Sequence, residues 1–143
     1  MKNRLTHILI LLSVLTWLPA QSRAQKEEEY SQAKLRVEWA KVDILLDSAT
    51  MYLDAKPQES FDFIERALEI SILGNDRLNE ARCYIMMGKV SYNLQQYDVA
   101  ASYYQKAAMR LDKRNDDLAG KVYLLLGQAY EKGEKYTESI DYY

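Results

Sequence analysis

The sequence predicts an all-α fold, an α-solenoid of about three stacked helix pairs with the last pair incomplete, and three observations predict it. Breakers are scarce, with 5 Gly and 2 Pro in 143 residues, so little interrupts a helix. Helix formers dominate from Gln25 onward, while Val and Thr are sparse. The chain also repeats itself: Ser48, Gly88 and Gly127 recur 40 and 39 residues apart, Ala67 and Ala107 lie 40 apart, and Tyr97 and Tyr136 lie 39 apart. A period between about 20 and 50 residues marks a stacked repeat. An apolar fraction of 48% supplies a core, and 28% charged residues argues against disorder.

The first 24 residues stand apart. Lys2 and Arg4 form a short basic region, Ile8 to Leu18 is almost wholly apolar, and Ser22 and Ala24 place small residues where a signal protease reads them. This is the layout of a secretory signal peptide. The apolar run is about half of the ~20 residues a spanning helix needs, so a cleaved leader fits better than an anchor. No Cys follows the run to carry a lipid. Export is therefore expected, with cleavage between Ala24 and Gln25 and a helical-repeat domain over residues 25–143. Loss of Lys2, Arg4 and Arg23 leaves 16 basic residues against 21 acidic ones, a net charge of −5. Such a field does not draw a chain to phosphate backbones, and nucleic acid is not expected as a partner.

The mature elements follow in order. From Glu27 to Asp54, Leu35, Trp39, Val42, Leu46, Ala49 and Leu53 recur at alternating steps of four and three, one face of a helix. Pro57 ends that helix and suits the first turn of the next, which runs to Leu73. Gly74 and Asn75 supply left-handed cap chemistry. Asp76 is placed to cap a helix running to about Leu94, and after a short turn at Gln95 and Gln96 its partner spans Tyr97 to about Lys113. A third pair begins near Asp117, turns at Lys132, Gly133 and Glu134, and is still helical in pattern at Tyr143. Glu27, Glu28 and Glu29 read as a solvated first helical turn rather than a metal site.

Catalytic chemistry finds no constellation here. His7 leaves with the leader, so the mature chain has no histidine and no Ser–His or Cys–His pair. Gly88 and Lys89 lack the earlier glycine of a phosphate loop. The carboxylates are scattered along helix surfaces. No enzyme activity, metal or cofactor is expected. Cys83, alone, reads as a small buried hydrophobe. Six of the 12 tyrosines fall on repeat packing positions (Tyr84, Tyr97, Tyr104, Tyr123, Tyr130 and Tyr136), whereas Tyr92 does not.

These residues resemble the tetratricopeptide repeat. Tyr123, Leu126, Gly127 and Tyr130 follow its first-helix motif with Tyr for Trp, and Tyr136, Ser139 and Tyr143 continue into the second helix. The middle copy has Tyr84, Met87, Gly88, Tyr97, Ala100, Tyr104 and Ala107, with Ser91 where a Tyr is usual. The first is degenerate, keeping Ile44, Asp47, Ser48, Met51, Ser60, Ile64 and Ala67. The copies occupy residues 34–74, 75–114 and 115–143. The resemblance implies that small residues at the eighth and twentieth positions bring two helix backbones together while aromatics fill the wedge between pairs. It also implies a protein–protein interaction module. A leader followed by such long-period repeats, with Pro57 and Ser60 opening a second helix, is similar to the exported N-terminal region of certain bacterial regulators. A sensory ectodomain in the bacterial periplasm is thus the alternative reading, and a membrane enters only if a spanning segment follows Tyr143. The third pair reaches only its twenty-fourth motif position, so an incomplete chain that self-associates through its C-terminal end is expected.

The resemblance also implies a groove. First-helix positions 2, 5, 9, 12 and 13 face it in the family. In the middle copy these are Arg82, Ile85, Lys89, Tyr92 and Asn93. In the third they are Lys121, Leu124, Gln128, Glu131 and Lys132, and in the first Val42, Leu45, Ala49, Tyr52 and Leu53. Four cations (Arg82, Lys89, Lys121 and Lys132) beside an apolar strip from the first copy suit a partner segment with acidic and apolar residues.

Overall fold

A computed structural model describes residues 2–112 and 115–133, with side chains from residue 21 onward. Among the described residues there are five helices and no strand: α1 (Lys2–Tyr52), α2 (Pro57–Leu73), α3 (Arg77–Asn93), α4 (Tyr97–Arg110) and α5 (Asp116–Lys132). The chain divides into two compact units, Met1–Val37 and Glu38–Tyr143. In the first, the side chains of residues 21–34 are all exposed, Tyr30 by 76%. The second holds the packed core. No described helix is long and apolar enough to cross a membrane.

Local chemistry sets the boundaries. Pro57 occupies the first turn of α2, where its missing N–H is no loss. Asp76 caps α3, its side chain accepting from the Asn79 N–H at 3.1 Å. The α2–α3 and α3–α4 turns are built alike. After α2, the Asp76 N–H donates to the Ser71 carbonyl and the Asn75 N–H to the Ile72 carbonyl; after α3, Gln96 donates to Ser91 and Gln95 to Tyr92. Both are Schellman closures, which need a left-handed residue just past the cap. Asn75 (φ 51°) and Gln95 (φ 61°) take that conformation. Of the Gly74–Asn75 pair expected to supply this cap, Asn75 takes the left-handed conformation and Gly74 is right-handed at φ −81°. The α4 helix stops at Arg110 rather than near Lys113, because Leu111 is extended.

Two clusters of side chains make the core of the second unit. The first joins Val42, Leu46 and Ala49 of α1 to Ile64 and Ala67 of α2 and to Cys83, Met87 and Val90 of α3. The second joins Ile85 of α3 to Ala100, Tyr104 and Ala107 of α4 and to Val122, Leu126 and Ala129 of α5. Each α3 surface therefore has a neighbour. Gly88 is the closest point: a Cβ there would lie 2.4 Å from Cε1 of Tyr104, which is 1% exposed. The small residue at the eighth position thus meets the aromatic at the twenty-fourth position of its own pair, a contact the motif reading did not specify. Tyr84, Tyr97 and Tyr130 are half-buried, but Tyr123 is 44% exposed and is not a core residue. Tyr84 is flanked by α2 and α4, whereas only α4, among the described second helices, adjoins α5. Trp39, on the predicted buried face of α1, is 40% exposed. Tyr136, Ser139 and Tyr143, and with them the expected C-terminal self-association, lie outside the described residues.

Candidate partner-binding face

The first helices lie side by side. Arg82 on α3 pairs with Asp43 on α1 at 2.7 Å, and the Asn93 side-chain amide donates to the Asp54 carboxylate. Both links span 39 residues, so the C-terminal part of α1 and α3 run in the same direction and are joined at two points. Burial of Ile85 with Val122, Leu126 and Ala129 sets α5 next in the row. One face of the unit thus presents α1 from Glu38 onward, then α3, then α5.

The expected groove residues divide into three groups on this frame. Lys89, Lys121 and Lys132 are exposed and, among the described residues, enter no ion pair or hydrogen bond. Gln128 is half-buried, Leu124 is 47% exposed, and Tyr92 packs edge-on against Tyr97 with ring centroids 5.1 Å apart. Arg82 and Asn93 are present on this face but committed: Asp43 takes the charge of Arg82, which also donates to Asn79 at 2.7 Å. The third group is a correction. Ile85 is 8% exposed, and Val42, Leu45 and Ala49 are 0%, 9% and 0% exposed, so three residues of the apolar strip assigned to the first copy are core, while Tyr52, stacked on Phe63, and Leu53 are half-buried. The Asp43–Arg82 and Asp54–Asn93 links, each spanning 39 residues, align Ala49 rather than Ser48 with Gly88. Val42, Leu45 and Ala49 therefore hold the first, fourth and eighth positions, which pack inward. Ile85 is buried by stacking, since the fifth-position side chain of one first helix is covered by the next first helix. Leu124 holds the same position on α5 and stays open because no further first helix follows among the described residues.

A cleft that sequence reasoning missed adjoins this face. It encloses about 720 Å3 between Trp39 and Asp43 of α1, the α2–α3 turn, and Arg110, Asp112 and Asn115 at the α4–α5 junction. Sequence periodicity gave no signal for it, because it set Trp39 on the inward face of α1, whereas Trp39 is 40% exposed. The arginines of the cleft are already satisfied: Arg82 by Asp43, Arg110 by Glu80 at 2.6 Å, and Arg77 by the Met109 carbonyl at 2.8 Å. It reads as a polar seam tying successive pairs together. Among the described residues no group of three or more His, Cys, Asp or Glu is placed to hold a metal ion.

Cys83 is fully buried, and burial pushes its thiol up from an ordinary 9.0 to about 11 despite the neighbouring Ser71 hydroxyl. It is a protonated core residue at neutral pH.

Helix hairpins stacked with their first helices in one row and their second helices behind define a helical-repeat scaffold. Two family models, both described as tetratricopeptide repeat, match residues 43–113 and 120–143. The chain belongs to the tetratricopeptide-repeat family. Repeats of this kind serve as protein–protein interaction modules. No curated protein matches the chain.

Proposed function

We propose that the chain is an exported docking module whose first-helix face takes an acidic, partly apolar segment of another protein. The observation that carries the reading is the set of three exposed cations, Lys89, Lys121 and Lys132, which have no ion-pair partner among the described residues, in a chain whose net charge is −2. Exposed lysines steer an acidic partner and set its register more than they add affinity, while Leu124 and Tyr92 supply apolar contact. The Arg82–Asp43 ion pair and the Asn93–Asp54 hydrogen bond join the first two helices of this face before a partner arrives, which reduces the ordering needed on the receptor side.

Reversing both Lys89 and Lys121 to Glu is the direct test. Capture of the partner should fall roughly tenfold or more at low salt and the residual binding should lose its salt dependence. Helical content should not change, because both side chains are exposed. Binding equal to that of the unmodified chain would remove this face from consideration. Export is supported by the basic, apolar and small-residue layout of residues 1–24, and N-terminal sequencing of protein recovered outside the cytoplasm should begin at Gln25. Recovery of an intact Met1 would overturn it.

A further inference from the structure

The second-helix side of the unit carries a groove that the reading above does not use. It lies between α2 and α4 over α3 and encloses about 480 Å3. Leu68 and Ile72 form its α2 wall, Tyr103 its α4 wall, and Tyr84 and Met87 its floor. Ile72 is 53% exposed and the adjoining Leu73 81%, so apolar surface is open to water here.

The two rims carry opposite charge. Glu65 and Glu69 stand four residues apart on α2, both exposed, and neither enters an ion pair or hydrogen bond among the described residues. Like charges at that spacing oppose helix formation unless a cation lies between them. Across the groove, Lys106 has no carboxylate partner among the described residues and lies 5.2 Å from the Tyr103 ring centroid and 6.0 Å from that of Tyr84. Tyr84 is also held by Arg110, whose guanidinium sits 5.9 Å from the ring and is fixed on Glu80 at 2.6 Å. The floor is thus set before anything binds.

We propose that this groove docks an amphipathic α-helix of a partner protein. The partner helix lays an apolar i, i+3/i+4, i+7 stripe on Leu68, Ile72 and Tyr84, with Lys or Arg flanking it toward α2 and Asp or Glu toward Lys106. A trough between two helices has the form that takes a third. The bound bases relieve the Glu65/Glu69 repulsion, and the bound acid answers Lys106. An extended segment would place successive side chains on opposite faces and leave one rim unanswered.

The test selects binders from a displayed library of helical peptides against the full chain, then measures the best of them by calorimetry. Enrichment of an apolar stripe flanked by Lys or Arg is expected. The Glu65→Lys/Glu69→Lys double variant, folded by circular dichroism, should weaken those peptides at least tenfold, and exchanging the peptide bases for acids should recover binding to it. The Lys89/Lys121 reversal should leave them unaffected, which separates this groove from the first-helix face. Failure to select any binder, binders indifferent to the Glu65/Glu69 reversal, or binders lost only on the Lys89/Lys121 variant would each overturn the proposal.

Discussion

Gly88 lies so close to Tyr104 that no side chain fits between them, and Tyr104 is walled in on every other side. Gly88→Ala should cost about 1–3 kcal/mol, the usual penalty of overpacking a tight core, read as a lower midpoint in urea. Three residues further along α3, the Ser91 hydroxyl is fully buried with no hydrogen-bond partner among the described residues. Leaving such a group unpaired costs about 1–3 kcal/mol, so Ser91→Ala should hold or raise the midpoint; a clear loss would mean that the hydroxyl has a partner. Cys83 supplies the pH dependence. Its folded value of about 11 lies above the ordinary 9.0, so the folded chain holds the proton more tightly than the unfolded one. That contribution is intact below about pH 9 and is lost as pH rises through 11. Stability should fall across this window less steeply in Cys83→Ala than in the unmodified protein. A thiol reagent at neutral pH should label Cys83 only after unfolding.

At the scale of elements, the two Schellman turns differ in how well their sequences suit them. Asn75 tolerates the left-handed conformation, whereas Gln95 adopts it at φ 61° without help from its side chain. Gln95→Gly should stabilise the α3–α4 hairpin by up to about 1 kcal/mol, visible as a higher melting temperature. Asp76→Ala removes the cap of α3 and should cost about 1 kcal/mol. Pro57 and Asp76 were legible in the sequence because their effects reach only one turn. The choice of Asn75 over Gly74 was not, since both residues suit the left-handed region and the carbonyls of Ser71 and Ile72 decide which one closes the helix.

Across the whole second unit, α3 is shared between the two core clusters, with Cys83, Met87 and Val90 facing one and Ile85 the other. Stability in such an array is passed between neighbours. Leu126→Ala, at 1% exposure on α5, should cost about 2–5 kcal/mol. Hydrogen exchange should show α4 and α5 losing protection first, with α2 and the adjoining part of α1 holding longer. Uniform loss across all helices would mean that the clusters unfold as one.

By itself the sequence determined the all-helical class, the 39–40-residue period, and Gly88 and Tyr104 as packing positions, while their direct contact came only with the structure. Each rests on residue spacing, which helix geometry converts directly into a shared face. The candidate site was only half legible. Lys89, Lys121 and Lys132 are exposed as their positions imply, because nothing packs over a long charged side chain at those points. Tertiary structure alone decided that Val42, Leu45, Ala49 and Ile85 are core, that Arg82 is spent on Asp43, and that Glu65, Glu69 and Lys106 rim a second groove. One-dimensional periodicity tells which side chains lie on the same side of a helix. Which neighbour covers that side depends on how hairpins stack, and stacking is a property of the assembled layers.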